Sequence, residues 1–418
     1  MTRGDVLGGV TTFFTMAYIV IVNPSILSSP GTGIPFSGAL TATVLVACSM
    51  TLLMGLYARL PFAVAPGMGL NAFFAYTVVV QQAVPWQVAL GIVFWAGVLF
   101  LLVSATPLRE RIATAIPPGL RLSVAAGIGL LLTFIGLRNA GLVEADPATL
   151  VRLGAIDFRA GFLLAGLLVA VAMMRRGSPL AFLTSIFLIT AAAWGAGLAD
   201  PPAEIVSPPD FESVFLKLDI AGALQLSLLP AIIAIMFTDL FDSLSTFIGV
   251  ATASGLTERD GTPLHLRRGL IVDAIATFGA GLAGTSSGTA YVESIAGIRM
   301  GGRSGMASVV TALCLLPCFF VAPLAAAVPA YATAPVLILV GATMFATIGG
   351  LDFSSIETSL PALVTVVMIP LTFSITQGIL WGFILHALLY AITGRRREVP
   401  AMLWTLAVIS AGLLMLER

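Results

Sequence analysis

Charged residues are scarce in this chain, and their scarcity excludes an ordinary soluble fold. Asp, Glu, Lys and Arg make up 10% of the 418 residues, whereas hydrophobic residues make up 58%. Soluble domains carry roughly 25% charged residues, so most of this chain must lie in lipid. Basic and acidic residues number 20 each, and this balance gives no reason to expect nucleic acid as a partner.

Cysteine and histidine are also rare, which leaves few side chains for a metal or redox site. Cys48, Cys314 and Cys318 lie in apolar stretches, and two thiols on one helix face make a poor metal site. We expect His265 to be solvated in a loop, and His386 to be structural rather than a proton relay. We therefore expect no metal and no cofactor.

Long apolar runs fill the chain and predict fourteen membrane segments. Windows of about 19 residues place seven segments near 5–23, 38–57, 69–80, 86–105, 119–137, 159–175 and 179–198, before a Pro-rich loop. Seven more follow near 222–251, 269–283, 287–298, 304–326, 331–348, 359–373 and 376–393, with an extra apolar helix at 401–416. Because seven is an odd number of crossings, the second half begins on the opposite side of the membrane and is inverted relative to the first half. We predict an all-α polytopic membrane protein, one domain over 1–418, with inverted repeats at 5–198 and 222–393.

Basic residues fall mainly on one side of this segmentation. Lys and Arg are retained on the cytoplasmic side of membranes, and a cytoplasmic N-terminus places fifteen basic residues there against five opposite. The fifteen are Arg3, Arg59, Arg109, Arg111, Arg121, Arg175, Arg176, Arg259, Arg267, Arg268, Arg299, Arg303, Arg395, Arg396 and Arg397. The five are Arg138, Arg152, Arg159, Lys217 and Arg418. We therefore predict a cytoplasmic N-terminus.

Two segments cannot be continuous helices. The third carries Pro61, Pro66, Gly67 and Gly69, which remove helical hydrogen bonds and weaken a helix. The tenth and its neighbour have only 30 residues between Arg268 and Arg299, whereas two full crossings need about 40. Extended backbone covers distance faster than a helix does, so we predict a short strand within residues 285–291.

The two interruptions occupy corresponding positions in the two halves. Non-helical backbone at membrane depth is tolerated only where protein or a polar cavity satisfies it. Paired broken helices in inverted halves indicate the substrate site of a secondary transporter. The alternative interpretation is a pair of Gly/Pro kinks that serve helix packing.

Four acidic residues lie inside apolar segments without an accompanying Lys or Arg: Asp239, Asp242, Asp273 and Glu293. An ionised carboxylate at the bilayer centre costs about 2.5 to 3.5 kcal/mol, so each acid is a functional candidate. Glu293 follows the predicted strand and would cap a half-helix, where N–H groups favour its charge. Asp239 and Asp242 are three residues apart and therefore share a helix face. This arrangement would allow one carboxylate to bind the substrate and the other to carry a coupling proton.

The remaining polar candidates have structural alternatives of similar weight. Asn71 follows the third-segment interruption and could bind substrate or be a satisfied buried amide. Tyr291 could stack on a planar substrate or pack in the core. For Asp273 we favour a structural role, bonding to Ser, Thr or backbone N–H groups near the interruption.

Five runs of sequence occur in an order typical of one transporter family. They are GGVTTFFTMAYIVIVNP (Gly8 to Pro24), APGMGLNAFFAY (Ala65 to Tyr76), FTDLFDSLSTFIGVA (Phe237 to Ala251), GTSSGTAYVESIAGI (Gly284 to Ile298) and IPLTFSITQGI (Ile369 to Ile379). These runs closely resemble the AzgA-like adenine/guanine/hypoxanthine permeases of the nucleobase:cation symporter-2 superfamily. One departure is Ser245, near which relatives often have glycine.

The resemblance implies a core domain of segments 1–4 and 8–11 and a gate domain of segments 5–7 and 12–14. It also implies proton-driven purine import by an elevator-like movement, in a homodimer of the bacterial inner membrane. The substrate-binding residues it implies are Glu293, Asp239, Asn71, Tyr291, Gly67, Met68 and Val292. Proton-coupling candidates are Asp242, Asp239 and Glu293, and the structural polar residues are Asp273 and Thr246.

Other functions stay open on the same residues. The same fold could carry xanthine, uracil or a small organic anion, although several acids near the site argue against an inorganic anion. Paired intramembrane aspartates also occur in proteases, but the Gly-x-Gly-Asp context is missing. A membrane-embedded enzyme or a channel is therefore the lesser alternative, and we predict that the chain is not an enzyme.

Overall fold

A computed structural model describes residues 2–106, 116–258 and 263–416, and fourteen segments follow one another through it. In the first half, segment 1 consists of helices Arg3–Met16 and Ile19–Leu27, and segment 2 is helix Phe36–Leu53 with a π-helical end at Met54–Ala58. Segment 3 consists of strand β1 (Val64–Pro66), helix Met68–Ala72 and π-helix Phe73–Gln81. Segments 4 to 7 are single helices: Trp86–Ala105, Pro118–Asn139, Phe158–Arg175 and Ala181–Gly195. Strands β2 Val143–Asp146 and β3 Leu150–Leu153 form a hairpin between segments 5 and 6.

The second half repeats this order in seven further segments. Segments 8 and 9 are helices Leu229–Ser254 and Leu266–Ala283, and segment 10 consists of strand β4 (Gly288–Ala290) and helix Ser294–Arg299. Segment 11 is helix Gly305–Leu315 followed by the short helices Leu316–Phe320 and Ala322–Ala326, and segment 12 is helix Ala330–Phe345 followed by Ala346–Gly350. Segments 13 and 14 are helices Ile356–Thr372 and Ile375–Ile392. The C-terminal apolar helix is Ala401–Leu416. The prediction of two inverted seven-segment repeats with an extra helix is therefore confirmed.

The helical stretches differ in length. Among the described residues, eight helical stretches are long and apolar enough to cross a membrane. Shorter apolar helices include Met68–Gln81 and Gly305–Phe320. The first helix of segment 11 ends at Leu315, within the expected 304–326, because Pro317 follows it and proline disfavours a continuing helix at the residue before it.

Strands β1 and β4 pair with each other where the two interrupted segments meet. They run antiparallel, with Val64 opposite Ala290 and Pro66 opposite Gly288. Beyond the ladder, Tyr291 N donates to Ala63 O over 2.9 Å and Gly67 N donates to Ser287 O over 3.0 Å. Each interruption therefore satisfies the backbone groups of the other, which is the condition for non-helical backbone at membrane depth.

The segments pack in two groups. Segment 1 packs on segment 11, and segment 4 on segment 9, whereas segment 5 packs on segments 12 and 13. Close helix approach explains some of the many glycines: a Cβ added at Gly129 of segment 5 would lie 2.5 Å from Gly341 O of segment 12. Small residues allow such backbone contact between membrane helices.

The hairpin of strands β2 and β3 is a feature that the apolar windows missed. Its turn is held by the Asp146 side chain, whose Oδ1 accepts hydrogen bonds from the backbone N–H groups of Ala148 and Thr149. Four of the basic residues counted for orientation, Arg109, Arg111, Arg259 and Arg418, lie outside the described residues.

Candidate functional site

A cavity of about 500 Å³ lies where the paired strands meet the second group of segments. One wall comes from segments 1, 3, 8 and 10 and includes Tyr18, Met68, Asp242, Tyr291 and Glu293. The facing wall comes from segments 7 and 12 and includes Ala181, Phe182, Val340, Thr343 and Met344. One wall is therefore polar and the other almost wholly apolar.

Glu293 lies at the junction between strand β4 and the half-helix Ser294–Arg299 and faces this cavity. Its side chain makes no capping hydrogen bond to the helix. Instead, Oε1 of Glu293 accepts a 2.7 Å hydrogen bond from the Tyr18 hydroxyl. The backbone carbonyl oxygen of Glu293 accepts a second hydrogen bond, from Thr15 Oγ1 over 3.4 Å. Segment 1 thus holds Glu293 in place while its carboxylate remains an acceptor for a solute.

Asp239 and Asp242 of segment 8 occupy different environments. Asp242 is half-buried and lines the cavity, where it accepts a long 3.5 Å contact from Thr289 Oγ1. Thr246, one turn further along, also lines the cavity. Asp239 is fully buried, does not line the cavity and accepts a hydrogen bond from Thr277 of segment 9. Only one of the two aspartates therefore meets the cavity directly.

A row of three side-chain contacts leads from the cavity to the buried acid of segment 9. Asp273 is fully buried and accepts a hydrogen bond from the Ser243 hydroxyl. Ser243 Oγ lies 3.3 Å from Thr289 Oγ1, which in turn contacts Asp242. Within the described part of the chain, one oxygen of Asp239 and one of Asp273 have no protein partner, so each acid retains an acceptor position.

The residues of the two interruptions divide between cavity and core. Gly67, Met68 and Val292 line the cavity, and Val292 is half exposed. Tyr291 also lines it, and its hydroxyl donates a 2.5 Å hydrogen bond to Pro66 O, which ties the two interruptions together. Asn71 is fully buried away from the cavity, where its Oδ1 accepts from Ser286.

Tyr18 and Phe182 were missed by sequence reasoning. Their rings form an edge contact with centroids 5.0 Å apart, and Phe182 belongs to the facing wall. Tyr18 lies inside the run Gly8 to Pro24, so the motif marked its neighbourhood without marking its role. Phe182 lies in an ordinary apolar helix, and no signal in the sequence distinguishes it.

One side of the cavity lies near the arginine-rich face of the protein. It extends past Met174, Ser178 and Arg299, on the face that carries Arg175 and Arg176. At the other face, ends of segments 3, 5 and 13 meet in a group that we call the Tyr76 cluster, formed by Tyr76, Thr77, Arg138 and Phe373.

Contacts within the Tyr76 cluster join the two groups of segments. The Tyr76 ring lies edge-on to Phe373 at 6.2 Å, and the Arg138 guanidinium lies 5.2 Å from the Tyr76 ring centroid. Thr77 Oγ1 donates to Phe373 O, a carbonyl whose residue has a left-handed φ of 53° at the end of segment 13. Segment 3 of one group is thereby held against segments 5 and 13 of the other.

The acids are not arranged as a metal centre. In the ranges that the structure describes, no three His, Cys, Asp or Glu side chains converge as metal ligands. The arrangement instead offers two carboxylates, three aromatic rings and an apolar wall to one solute. Such a site suits a flat, uncharged molecule with N–H groups.

Comparisons with known proteins agree with this architecture. Residues 3–381 match the model of a permease family. Adenine permease AdeP of Escherichia coli is 38% identical over 97% of this chain and 91% of its own length. Guanine/hypoxanthine permease PbuG of Bacillus subtilis is also 38% identical, over 97% of this chain and 95% of its own length.

Solved structures share the fold at low sequence identity. The transmembrane domain of the cyanobacterial bicarbonate transporter BicA superposes with a TM-score of 0.69 at 17% identity, covering 91% of this chain and 97% of that one. SLC26A9 gives a TM-score of 0.63 at 12% identity, covering 94% of this chain and 65% of that one. The chain is thus a multi-pass membrane protein that belongs to the permease family, and the resemblance of its motifs to the AzgA-like permeases is confirmed.

Proposed function

We propose that this protein is a secondary active transporter that imports the purine nucleobases adenine, guanine or hypoxanthine. The observation that carries the proposal is the placement of Asp242 and Glu293 together on a cavity formed where two half-segments meet. AdeP and PbuG, which match nearly the whole chain, are named as adenine and guanine/hypoxanthine permeases. Their names support a purine as the solute.

The cavity chemistry supports a purine in particular. A purine is flat and uncharged, and it carries ring and exocyclic N–H donors that carboxylates accept. Glu293 and Asp242 supply such acceptors on the polar wall, while Tyr18, Tyr291 and Phe182 supply aromatic surface. A fully charged solute would gain little from the apolar side chains of segments 7 and 12.

The acids also support coupling to protons. Carboxylates at membrane depth are costly when ionised, and in the described residues no ion pair joins these four acids to a cation. Binding a proton together with a neutral purine would remove that cost during the crossing. Asp242 and Glu293 on the cavity, and Asp239 behind it, are the candidates for the coupling proton.

Movement of one group of segments against the other would expose the cavity to alternate faces. The core group of segments 1–4 and 8–11 holds the acids, and the gate group of segments 5–7 and 12–14 holds the apolar wall. An elevator-like displacement of the core would break the Tyr76 cluster. With a cytoplasmic N-terminus in a bacterial inner membrane, the cavity now faces the cytoplasm, and a homodimer would anchor the gate groups.

Radiolabelled purine uptake in a strain without its own purine permeases tests the proposal. We expect Glu293→Gln and Asp242→Asn each to reduce uptake by about 10- to 100-fold, because a hydrogen bond to a charged group contributes about 1.5 to 3 kcal/mol. Asp146→Asn, in the exposed hairpin, is the matched control and should transport normally.

Two further measurements test the solute and the coupling ion separately. Unlabelled xanthine, uracil and organic anions added in excess should compete weakly, and strong competition by one of them would reassign the solute. Collapse of the proton gradient should abolish accumulation. Accumulation that persists without the gradient, with a sodium gradient in its place, would contradict proton symport.

A further inference from the structure

A second cavity, of about 460 Å³, lies on the arginine-rich face and shares no lining residue with the purine cavity. Its lining residues belong to described parts of the connections between segments 2 and 3, segments 8 and 9, and segments 10 and 11, and to the adjoining helix ends. Three basic side chains line it, one from each connection: Arg59, His265 and Arg303. Nothing in the transport proposal uses these residues.

Within the described residues, the two arginines have no counter-ion at this cavity. Arg303 donates one hydrogen bond to the carbonyl oxygen of Ser254, and the Arg59 side chain forms none with the residues that the structure describes. In the described part of the chain, neither forms an ion pair and no carboxylate lines the cavity. Asp5 contacts this wall, where its carboxylate accepts a hydrogen bond from Ser304, and it accepts another from Thr2.

Most of the other lining residues are apolar, and one of them reaches the protein surface. Leu60 and Leu256 are buried in the wall, and Leu264 is half-buried there. Leu56 also lines it and has 59% of its surface exposed, at the end of a membrane segment. A soluble anion needs the cations alone, whereas a phospholipid needs cations for its phosphate and an apolar path for its acyl chain.

We propose that this cavity binds an anionic phospholipid, with its phosphate between Arg59 and Arg303 and an acyl chain along Leu56. Arginine suits this role because its planar group donates two parallel hydrogen bonds to phosphate oxygens. Basic pockets between membrane helices on the cytoplasmic side recognise anionic headgroups. The lipid would join the three connections at one end of the core group.

Binding of phosphatidylglycerol to the purified full chain tests this inference. Native mass spectrometry of delipidated protein, titrated with phosphatidylglycerol, should give about 30-fold weaker binding for Arg59→Gln with Arg303→Gln, since each basic residue near a membrane surface contributes about 5-fold. The matched control is Arg175→Gln with Arg176→Gln, exposed on the same face but outside the cavity. Equal lipid binding by the cavity variant and this control would overturn the proposal.

Two further measurements complete the test. One distinguishes the loss of positive charge from misfolding, and the other distinguishes phospholipid binding from the binding of free phosphate. Arg59→Lys with Arg303→Lys retains the charge and should restore most of the binding, whereas a variant that fails through misfolding would not recover. Inorganic phosphate should not displace phosphatidylglycerol or raise the thermal unfolding temperature as the lipid does. If phosphate alone reproduces both effects, the cavity is a soluble-anion site and the lipid assignment is wrong.

Discussion

The hydroxyl of Tyr18 donates a 2.7 Å hydrogen bond to Oε1 of Glu293, joining segment 1 to the half-helix of segment 10 across 275 positions of sequence. Tyr18 lies where segment 1 is itself interrupted, between Met16 and Ile19. The bond fixes one carboxylate oxygen of a residue that lines the cavity. Tyr18 is therefore a positioning residue for the acid that we propose to bind purine.

Removing the Tyr18 hydroxyl should weaken purine binding without unfolding the protein. We expect Tyr18→Phe to raise the KM for uptake by about 10-fold, because a hydrogen bond to a charged group contributes at least about 1.5 kcal/mol. The ring and its edge contact with Phe182 would remain. Tyr57→Phe, on an exposed ring of segment 2, is the control. An unchanged KM for Tyr18→Phe, measured in the same membranes, would remove Tyr18 from the site.

A covalent bond across the Tyr76 cluster should arrest transport. Thr77 Oγ1 bonds to Phe373 O between the two groups of segments, so Thr77→Cys with Phe373→Cys should form a disulfide after Cys48, Cys314 and Cys318 are replaced by serine. Oxidation should reduce purine uptake by more than about 10-fold, and a reductant should restore it. Each single cysteine variant should be insensitive to oxidation. Full uptake by the cross-linked protein would show that the cluster does not open.

Helix packing between segments 5 and 12 should not tolerate a methyl group at Gly129. Its Cβ would lie 2.5 Å from Gly341 O and 2.6 Å from Phe345 N, both backbone atoms that cannot rotate away. We expect Gly129→Ala to destabilise the protein by about 1 to 3 kcal/mol, seen as a lower unfolding temperature in detergent. Gly161→Ala, where nothing lies within 4 Å, should be neutral or stabilising. Equal effects of the two substitutions would contradict this packing.

Asp210, in the connection between the two halves, should make stability depend on acidity. Burial raises the pKa of its carboxyl, but hydrogen bonds from Ser37 and Ser213 outweigh burial and hold the pKa below its ordinary value of 3.8. A carboxyl with a depressed folded-state pKa stabilises the protein above its unfolded-state pKa, and this stabilisation is lost as pH falls through the folded value.

The matching measurement is the unfolding temperature of Asp210→Asn against the wild type between pH 7 and pH 3. The variant should be less stable at neutral pH, and the difference should shrink as the solution becomes acidic. Glu204→Gln, on an exposed residue of the same connection, is the control for the removal of a carboxylate. If the difference in unfolding temperature between Asp210→Asn and the wild type widens toward low pH, the lowered pKa inferred for Asp210 is wrong.

Amino-acid sequence alone determined the membrane segments and the position of the interruptions. Apolar runs must span a fixed thickness of lipid, so their spacing sets the count of segments before any tertiary contact forms. Pro66 and Gly67 at one interruption, and the short distance between Arg268 and Arg299 at the other, excluded full helices. The paired strands Val64–Pro66 and Gly288–Ala290 occupy those interruptions.

Tertiary structure decided which side chains meet at the cavity. Periodicity places Asp239 and Asp242 on one helix face, but it does not give the rotation of segment 8 against its neighbours. That rotation directs Asp242 to the cavity and Asp239 to Thr277. Tyr18 and Phe182 reach the site only because segments 1 and 7, distant in sequence, pack beside it. A pattern along one helix cannot encode such contacts, since they depend on how separate helices are arranged in space.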